Sequence, residues 1–380
     1  MKSIYIKNYK NLKDFKIDSL SKINLIVGKN NVGKSTLLEA ISIFASGGNI
    51  ISLREILDIR GEVYDFPYSL EQDKKLERHI SSFLSLISDR DIELFIDNGI
   101  SIICDISNDE TILKKEVEVK LVKYIETSDS NNLQNIKRQF LSNEDPMLGD
   151  PNVEYGILVK NKINNDFQDV LYKLGGRIRQ LLPNIIQKTK PYELVRTNEI
   201  SRNKNPELFD KISLTPLEKE IVTALKIIEP NIEDINFLTE ESLSRFNRME
   251  ERVPFVVFPL SSKKLRLTSM GDGLNRILTI ILALLNSKDG FLLIDEFENG
   301  LHYTVQTQLW KIIYQLSEKL NIQVFATTHS DDCIKSFIES DTENKGKLIR
   351  LEDIDGDIKS IAFNDKERLN FAIQNNIEVR

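Results

Sequence analysis

Residues 28–35 read Gly-Lys-Asn-Asn-Val-Gly-Lys-Ser, and this stretch decides the fold. It matches the GxxxxGK[ST] phosphate-binding pattern in full, with Lys34 placed to reach the β- and γ-phosphates and Ser35 placed to ligate Mg²⁺. The apolar run 23–27 predicts a short buried strand before the loop, and residues 36–44 predict the helix after it. Loop N–H groups and a helix N-terminus attract anions, so the sequence predicts a nucleotide site here. The candidate nucleotide contacts are Gly28, Asn30, Asn31, Gly33, Lys34, Ser35 and Thr36.

The composition is that of an ordinary globular protein. The chain has 380 residues, 41% apolar and 29% charged, and its length favours about two or three lobes. No apolar run approaches the roughly eighteen residues that a membrane-spanning helix needs, and the start of the chain lacks a signal-peptide pattern. The two cysteines provide neither a disulfide framework nor a metal cluster. We therefore expect a cytoplasmic protein without a membrane partner.

The net charge of −7 argues against a broadly basic surface for nucleic acid. The chain nevertheless contains 51 Lys and Arg residues, which leaves a local basic groove and nucleic-acid binding open.

A hairpin and a long loop are predicted in the first half of the chain. The runs 92–96 and 100–104 flank Asp-Asn-Gly, and an Asn-Gly pair is typical of a type I′ hairpin turn. Residues 116–121 alternate and predict a further strand, so we expect an antiparallel sheet beside the nucleotide site. The polar stretch 127–152 predicts a long exposed loop.

An apolar run that ends in two acids lies late in the chain. Residues 291–294 predict a buried parallel strand, and Asp295 and Glu296 follow it at once. Burying unpaired carboxylates is costly, so this position points to chemistry rather than packing. The pattern is the Walker B arrangement, in which Asp295 would hold Mg²⁺ beside Ser35 and Glu296 would polarise the attacking water.

A second buried strand is predicted over 323–326 and is followed by Thr-Thr-His-Ser. Strand, helix and strand at this spacing predict a parallel sheet with helices on its faces. His329, directly after this strand, can contact the γ-phosphate or hold the attacking water. For His302, structural and interfacial roles both stay open.

Ser269, Gly271 and Gly273 open another helical pattern. Small residues at a helix N-terminus form an anion site, but the γ-phosphate held by one chain needs only one loop. The economical interpretation is that this segment binds the ATP of a second copy.

The order of these motifs resembles the ATP-binding-cassette superfamily. Within it, residues 4–35 are similar to the opening of SMC-like, RecF-like and OLD-type ATPases. Residues 267–329 are similar to stand-alone AAA-type ATP-binding proteins of bacterial OLD-like systems. Residues 295–302, Asp-Glu-Phe-Glu-Asn-Gly-Leu-His, are especially characteristic. The resemblance implies an α/β P-loop NTPase fold of the ABC-ATPase head type, with a mixed sheet, an antiparallel β lobe and a mostly helical insertion.

Three regions follow from this interpretation. Residues 1–120 are expected to form an ATPase lobe with the phosphate loop and an antiparallel β subdomain. Residues 121–250 are expected to be an inserted, mainly helical arm or docking region. Residues 251–380 are expected to form an ATPase lobe with the signature segment, the Walker B acids and His329.

The resemblance also implies a homodimer with two ATPs at its interface, and it leaves higher assembly open. Each ATP would be clamped by residues 28–35 of one chain and 269–273 of the other. The signature segment departs from the full Leu-Ser-Gly-Gly-Gln, so we expect hydrolysis to be slow or switch-like.

A nuclease domain is not expected in this chain. OLD-family nucleases carry a Toprim domain after the ATPase, whereas a short stretch follows His329 here. The acidic run 352–357 is compatible with a metal site, but the flanking runs 347–351 and 358–361 favour a β-hairpin with an Asp-Gly turn.

Three functions are compatible with these observations. The leading one is an ATP-binding and hydrolysing sensor that controls a separately encoded effector, such as a nuclease, in bacterial defence against phage. The second is a DNA-repair or recombination ATPase that binds duplex DNA directly, which the acidic net charge and the lack of a coiled coil disfavour. The third is an ATP-holding scaffold of the antitoxin kind.

Overall fold

The computed structural model describes residues 1–62, 72–108, 111–129, 132–143, 145–164, 166–175, 189–197, 204–226, 229–243, 248–258 and 261–363. The strands in these residues are β1 (Ser3–Tyr9), β2 (Leu12–Ile17), β3 (Ile23–Val27), β4 (Ile100–Asn108), β5 (Thr111–Asp129), β6 (Asn132–Leu141), β7 (Glu154–Ile163), β8 (Asp166–Lys173), β9 (Tyr192–Val195), β10 (Asp234–Leu243), β11 (Arg248–Phe258), β12 (Ser261–Arg266), β13 (Phe291–Ile294), β14 (Gln323–Thr327), β15 (Gly346–Ile354) and β16 (Asp357–Phe363). The helices in these residues are α1 (Lys34–Ala45), α2 (Ile50–Ile59), α3 (Gln72–Leu84), α4 (Ile92–Asp97), α5 (Lys204–Ile212), α6 (Glu218–Leu225), α7 (Asp272–Asn286), α8 (Tyr303–Lys319) and α9 (Asp331–Ser340), with 3₁₀ turns at Ser88–Arg90, Pro146–Gly149 and Leu267–Met270.

The chain forms two compact units. Unit 1 comprises Met1–Ser19, Glu39–Thr189 and Asp353–Ser360. Unit 2 comprises Leu20–Leu38, Lys190–Glu352 and Ile361–Arg380. No helix in the described ranges is long and apolar enough to cross a membrane.

Unit 1 is built on an antiparallel sheet in the order β2-β1-β4-β5-β7-β8, with β6 paired to β5. The alternation predicted over 116–121 is confirmed inside β5, where Val117, Val119 and Leu121 are fully buried. The alternate residues Glu116, Glu118 and Lys120 present charged side chains to the other face, which is the pattern of a sheet with one buried side.

Residues 92–97 form helix α4, so the predicted hairpin with a turn at Asn98 and Gly99 is wrong. The Asp91 carboxylate accepts hydrogen bonds from two backbone N–H groups of the first turn, which caps the helix. Asn98 stays right-handed at φ −107°, and Gly99, at φ +68°, bonds its N–H to the carbonyl of Leu94. The Asn-Gly pair therefore ends a helix instead of joining two strands.

The polar stretch 127–152, predicted to be a loop, contains β6. Lys123 lies opposite Leu141 in the β5–β6 pairing. The described part of residues 121–250 likewise holds more strand than helix, so the mainly helical insertion is a further correction. Pairing with neighbouring strands satisfies the backbone in these stretches, and it overrides the polar composition on which the prediction rested.

Unit 2 contains sheet strands in the order β15-β3-β14-β13-β9. Strands β15, β3, β14, β13 and β9 run parallel to one another. Strands β3 and β13 are buried along their whole length, as a parallel sheet covered by helices requires. The predicted succession of strand, helix and strand is confirmed as β13, α8 and β14. A second, antiparallel sheet has the order β10-β11-β12.

An aromatic cluster lies directly after β13 in the core of unit 2. Phe297 stacks on Trp310 with 4.0 Å between ring centroids, and the edge of Phe337 meets Trp310 at 5.1 Å. Phe297 and Trp310 are completely buried. This packing fixes the direction in which the chain leaves β13.

The predicted Asp-Gly hairpin near the end of the described residues is confirmed. Strands β15 and β16 are joined by Asp355 at φ +56° and Gly356 at φ +89°, the pair of left-handed residues that a type I′ turn needs. Asp353 accepts a hydrogen bond from the N–H of Gly356 at 2.8 Å. The acidic run thus shapes a turn.

Candidate active site

Three sequence motifs meet at the carboxyl edge of the parallel sheet in unit 2. The phosphate loop follows β3, Asp295 follows β13, and His329 lies just beyond β14. Strands β3, β14 and β13 are neighbours in the sheet, so their carboxyl ends lie side by side. Ligands of open α/β sheets bind at this edge.

The phosphate loop turns through left-handed backbone. Gly28, Asn31 and Gly33 have φ values of +143°, +67° and +87°. A Cβ at Gly28 would lie 2.5 Å from the carbonyl oxygen of Leu351, so the neighbouring strand also demands glycine there. Asn30 and Asn31 are exposed, which presents this side of the loop to a ligand.

Lys34 is buried beneath the loop. Its Nζ donates to the carbonyl oxygens of Gly28 at 2.8 Å and Lys29 at 2.7 Å. Burial lowers the pKa of Lys34 to about 8, and nearby carboxylates, Asp295 first among them, oppose this effect. The loop therefore holds the ammonium group in place, and this group would neutralise the phosphates of a nucleotide bound by the same loop.

The two predicted metal ligands are in direct contact. Ser35 Oγ donates to Asp295 Oδ1 at 3.0 Å, which joins the first turn of α1 to the end of β13. Hydroxyl and carboxylate oxygens are the donors that Mg²⁺ prefers, so the chemistry of this pair fits the ion. The same Asp295 oxygen accepts from Thr327 Oγ1 at 2.7 Å.

Glu296 and His329, the two predicted catalytic residues, face each other. His329 Nε2 lies 3.7 Å from Glu296 Oε1, and each side chain is more than a third exposed. Glu296 has φ +49°, an uncommon conformation for a glutamate. Its N–H donates to Thr327 Oγ1 at 2.8 Å, which helps to hold this backbone.

Sequence reasoning missed Thr327. Its hydroxyl donates to Asp295 and accepts from the N–H of Glu296, so one buried group orders both acids. The available signal was the strand register, because Ile294 pairs with Ala326 and the next residues of both strands must then be neighbours.

Arg276, on α7, was also missed. Its guanidinium donates to the carbonyl oxygens of Asp295 at 2.8 Å and Glu296 at 3.2 Å. It donates to the carbonyl of Arg196 at 2.7 Å as well. The signal was a single basic residue in a mostly apolar helix. Arg276 ties α7 to the backbone of the two acids.

The predicted signature residues lie at the start of α7. Ser269 is exposed within the 3₁₀ turn, and Gly271, at φ +104°, is the N-cap of α7 and supplies no side-chain cap. A Cβ at Gly273 would lie 3.1 Å from the carbonyl oxygen of Gly300, so the segment after the Walker B acids passes close by.

His302 caps α8, accepting from the N–H of Thr304. Its ring also packs against Tyr303 with 4.4 Å between centroids. A cavity of about 350 Å³ adjoins it. The lining residues are Glu229, Met270, Gly273, Leu274, Ile277, Gly300, Leu301, His302 and Val305.

Comparison with known proteins assigns the chain to a family. A family model described as an AAA ATPase domain matches residues 1–334. This chain belongs to the AAA ATPase domain family. This chain is 27% identical over 380 residues to a Helicobacter pylori protein named ATP/GTP phosphatase, and the match covers 93% of each chain.

Of two further matches, one covers a short part of the chain and the other has low sequence identity. An uncharacterized protein of Methanocaldococcus jannaschii is 39% identical over 87 residues, which cover 20% of the AAA ATPase and 39% of that protein. An SMC head bound to the C-winged helix domain of ScpA matches with a TM-score of 0.48 at 15% identity, covering 97% of the AAA ATPase and 99% of that chain.

The sheets of the described residues confirm the predicted α/β fold with an antiparallel β lobe, and the family match identifies an ATPase domain. Membership of the AAA ATPase family supports nucleotide binding and hydrolysis by this chain.

Proposed function

We propose that this AAA ATPase binds ATP with Mg²⁺ at the carboxyl edge of the unit 2 sheet and hydrolyses it. The observation that carries the proposal is the contact between Ser35 Oγ and Asp295 Oδ1 at 3.0 Å. In this contact a hydroxyl from the phosphate loop and a carboxylate that follows the Walker B strand are close enough for one cation to coordinate both. Mg²⁺ bound there would neutralise charge on the phosphate oxygens.

The remaining side chains have complementary roles in this proposal. Lys34 binds the β- and γ-phosphates from beneath the loop. Glu296 accepts a hydrogen bond from the attacking water and turns its oxygen toward the γ-phosphorus. His329, 3.7 Å from Glu296, donates a hydrogen bond to a γ-phosphate oxygen or to that water. Thr327 orders the acids without touching the nucleotide.

Steady-state hydrolysis of ATP by the wild type and Glu296→Gln tests this reaction. Removing a group that polarises the nucleophile lowers turnover by about 100-fold or more, while the amide keeps the size of the side chain. Glu339→Gln is the matched control, because Glu339 is an exposed carboxylate on α9. A wild type without turnover, or a Glu296→Gln variant as fast as the wild type, would overturn the proposal.

The proposal extends to assembly and biological role. Two copies sandwich ATP between residues 28–35 of one and 269–273 of the other, and the ATP-bound dimer controls a separately encoded effector, such as a nuclease, in bacterial anti-phage defence. The exposed Ser269 and the glycine N-cap of α7 support a binding role for that segment. Residues 121–250 provide the docking region.

Capture from native cells tests this second part. Tagged Glu296→Gln with ATP is expected to elute as a dimer and to bring down a stoichiometric partner with nuclease motifs, identified by mass spectrometry. Elution as a monomer at saturating ATP contradicts the sandwich. Duplex DNA or repair proteins in place of such a partner support the DNA-repair alternative.

A further inference from the structure

The carboxylate of Glu298 binds the segment that carries His329. Glu298 Oε1 accepts from the backbone N–H of His329 at 2.7 Å. Glu298 Oε2 accepts from the hydroxyl of Thr328, also at 2.7 Å. Both oxygens are thus engaged with consecutive residues, and hydrogen bonds to an ionised carboxylate are short and strong.

The same bonds continue on the far side of His329. Thr328 is completely buried, and its Oγ1 accepts from the N–H of Ser330 at 3.0 Å. Ser330 in turn is the N-cap of α9 and accepts from the N–H of Cys333. The backbone on both sides of His329 is therefore fixed, and Glu298 is the acceptor that anchors it to the Walker B segment.

The placement of Glu298 is itself well determined. Phe297, one residue earlier, is buried against Trp310, and its N–H donates to the carbonyl of Thr327 at 2.9 Å. Glu296, two residues earlier, lies 3.7 Å from the His329 ring. One short segment thus carries both Glu296 and the group that anchors His329.

We propose that Glu298 is a positioning residue that sets the orientation of the His329 ring beside Glu296. It acts through the backbone of residues 328 and 329 and does not touch the nucleotide. The proposal deepens the proposed ATPase function and rests on it for the catalytic consequence. Without Glu298 the ring leaves its orientation and turnover falls, while Lys34 and the phosphate loop still bind ATP.

Kinetics of Glu298→Ala and Glu298→Gln test the catalytic arm. Misplacing a catalytic group lowers kcat by roughly tenfold or more in Glu298→Ala, with the Kd for ATP unchanged. Glu298→Gln keeps one acceptor oxygen and is expected to recover part of the loss. In a double-mutant cycle, Glu298→Ala added to His329→Ala should cause no further loss. Independent, additive losses would show that Glu298 does not act through His329.

A second experiment, NMR of the histidine rings, tests the positioning role without requiring ATP hydrolysis. The chain has three histidines, so histidine-selective ring labelling gives an NMR spectrum with few signals. In Glu298→Ala the ring signals of His329 should shift, while those of His79 and His302 stay in place and report an intact fold. If the His329 ring signals of Glu298→Ala coincide with those of the wild type, the positioning role is overturned. If the wild type lacks ATPase activity and the His329 signals still shift in Glu298→Ala, the positioning role is supported and the proposed function is overturned instead.

Discussion

The two sides of the candidate site are built in different ways. At the ends of β13 and β14, Asp295 is bonded to Ser35 and Thr327, and Thr327 also holds the backbone of Glu296. At the start of α7, Ser269 is exposed and the glycine N-cap supplies no side chain. The first side is preorganised within its own chain, as electrostatic catalysis favours. In our proposal the second side acquires its ligand from another copy.

The sharpest test of the preorganised side is Lys34→Ala. Removing a buried cation from a phosphate site costs about 2–5 kcal/mol, which corresponds to a weakening of roughly 30-fold to several thousand-fold in the Kd for ATP. Lys29→Ala is the matched control, because Lys29 bonds Lys34 through its backbone carbonyl, which alanine keeps. Fluorescent-nucleotide titration measures both. Equal affinities for the wild type and Lys34→Ala would show that the preorganised side does not bind the nucleotide.

Thr327→Val tests whether one hydroxyl orders both acids. Valine keeps the shape of the side chain but leaves the N–H of Glu296 without its acceptor, a loss of about 1–3 kcal/mol. We expect a lower thermal midpoint and a fall in kcat of roughly 30-fold. Thr327→Ser restores the hydroxyl and should recover most of the activity. A valine variant with wild-type kcat would show that the hydroxyl is dispensable.

Ser269→Ala tests the open side. Since Ser269 would contact the nucleotide of a second copy, we expect unchanged ATP affinity at low protein concentration and a loss in turnover of about tenfold at high concentration. Affinity and turnover measured across a protein dilution series separate the two effects. A Kd weakened as much as in Lys34→Ala would mean that both sides serve the same nucleotide.

The smallest expected effect is the pH dependence of ATP affinity. Burial lowers the pKa of Lys34 to about 8, and phosphate prefers the protonated ammonium. Affinity should therefore be flat below this pKa and fall above it, by roughly fourfold between pH 7 and pH 8.5. Calorimetric titration measures the change, and Lys34→Arg, which stays charged, should show no such decline. A wild-type affinity constant up to pH 9 contradicts this assignment.

The predictability of the fold differed between two Gly-containing turns. Asp355 and Gly356 follow a strand and join it to another, as predicted. Asn98 and Gly99 follow a run that Asp91 caps as a helix. The turn residues alone were compatible with either outcome. The capping aspartate was the local signal that the hairpin prediction overlooked.

The candidate site was predictable as far as motifs reach. The phosphate loop, Asp295, Glu296 and His329 each follow a strand that its apolar run revealed, and the order of parallel strands brings them together. Thr327 and Glu298 were not predictable in the same way, because their roles depend on which strands are neighbours and in which register. No local pattern carries that information.

The left-handed backbone of Glu296 has a consequence for heat resistance. A non-glycine residue at φ +49° costs on the order of 1–3 kcal/mol relative to an ordinary conformation. Glycine and asparagine tolerate this conformation better, yet neither supplies a carboxylate. A library selected only for surviving high temperature would accumulate them at position 296 and lose turnover as it did so. At this residue the chain gives up thermal tolerance to keep a carboxylate beside His329.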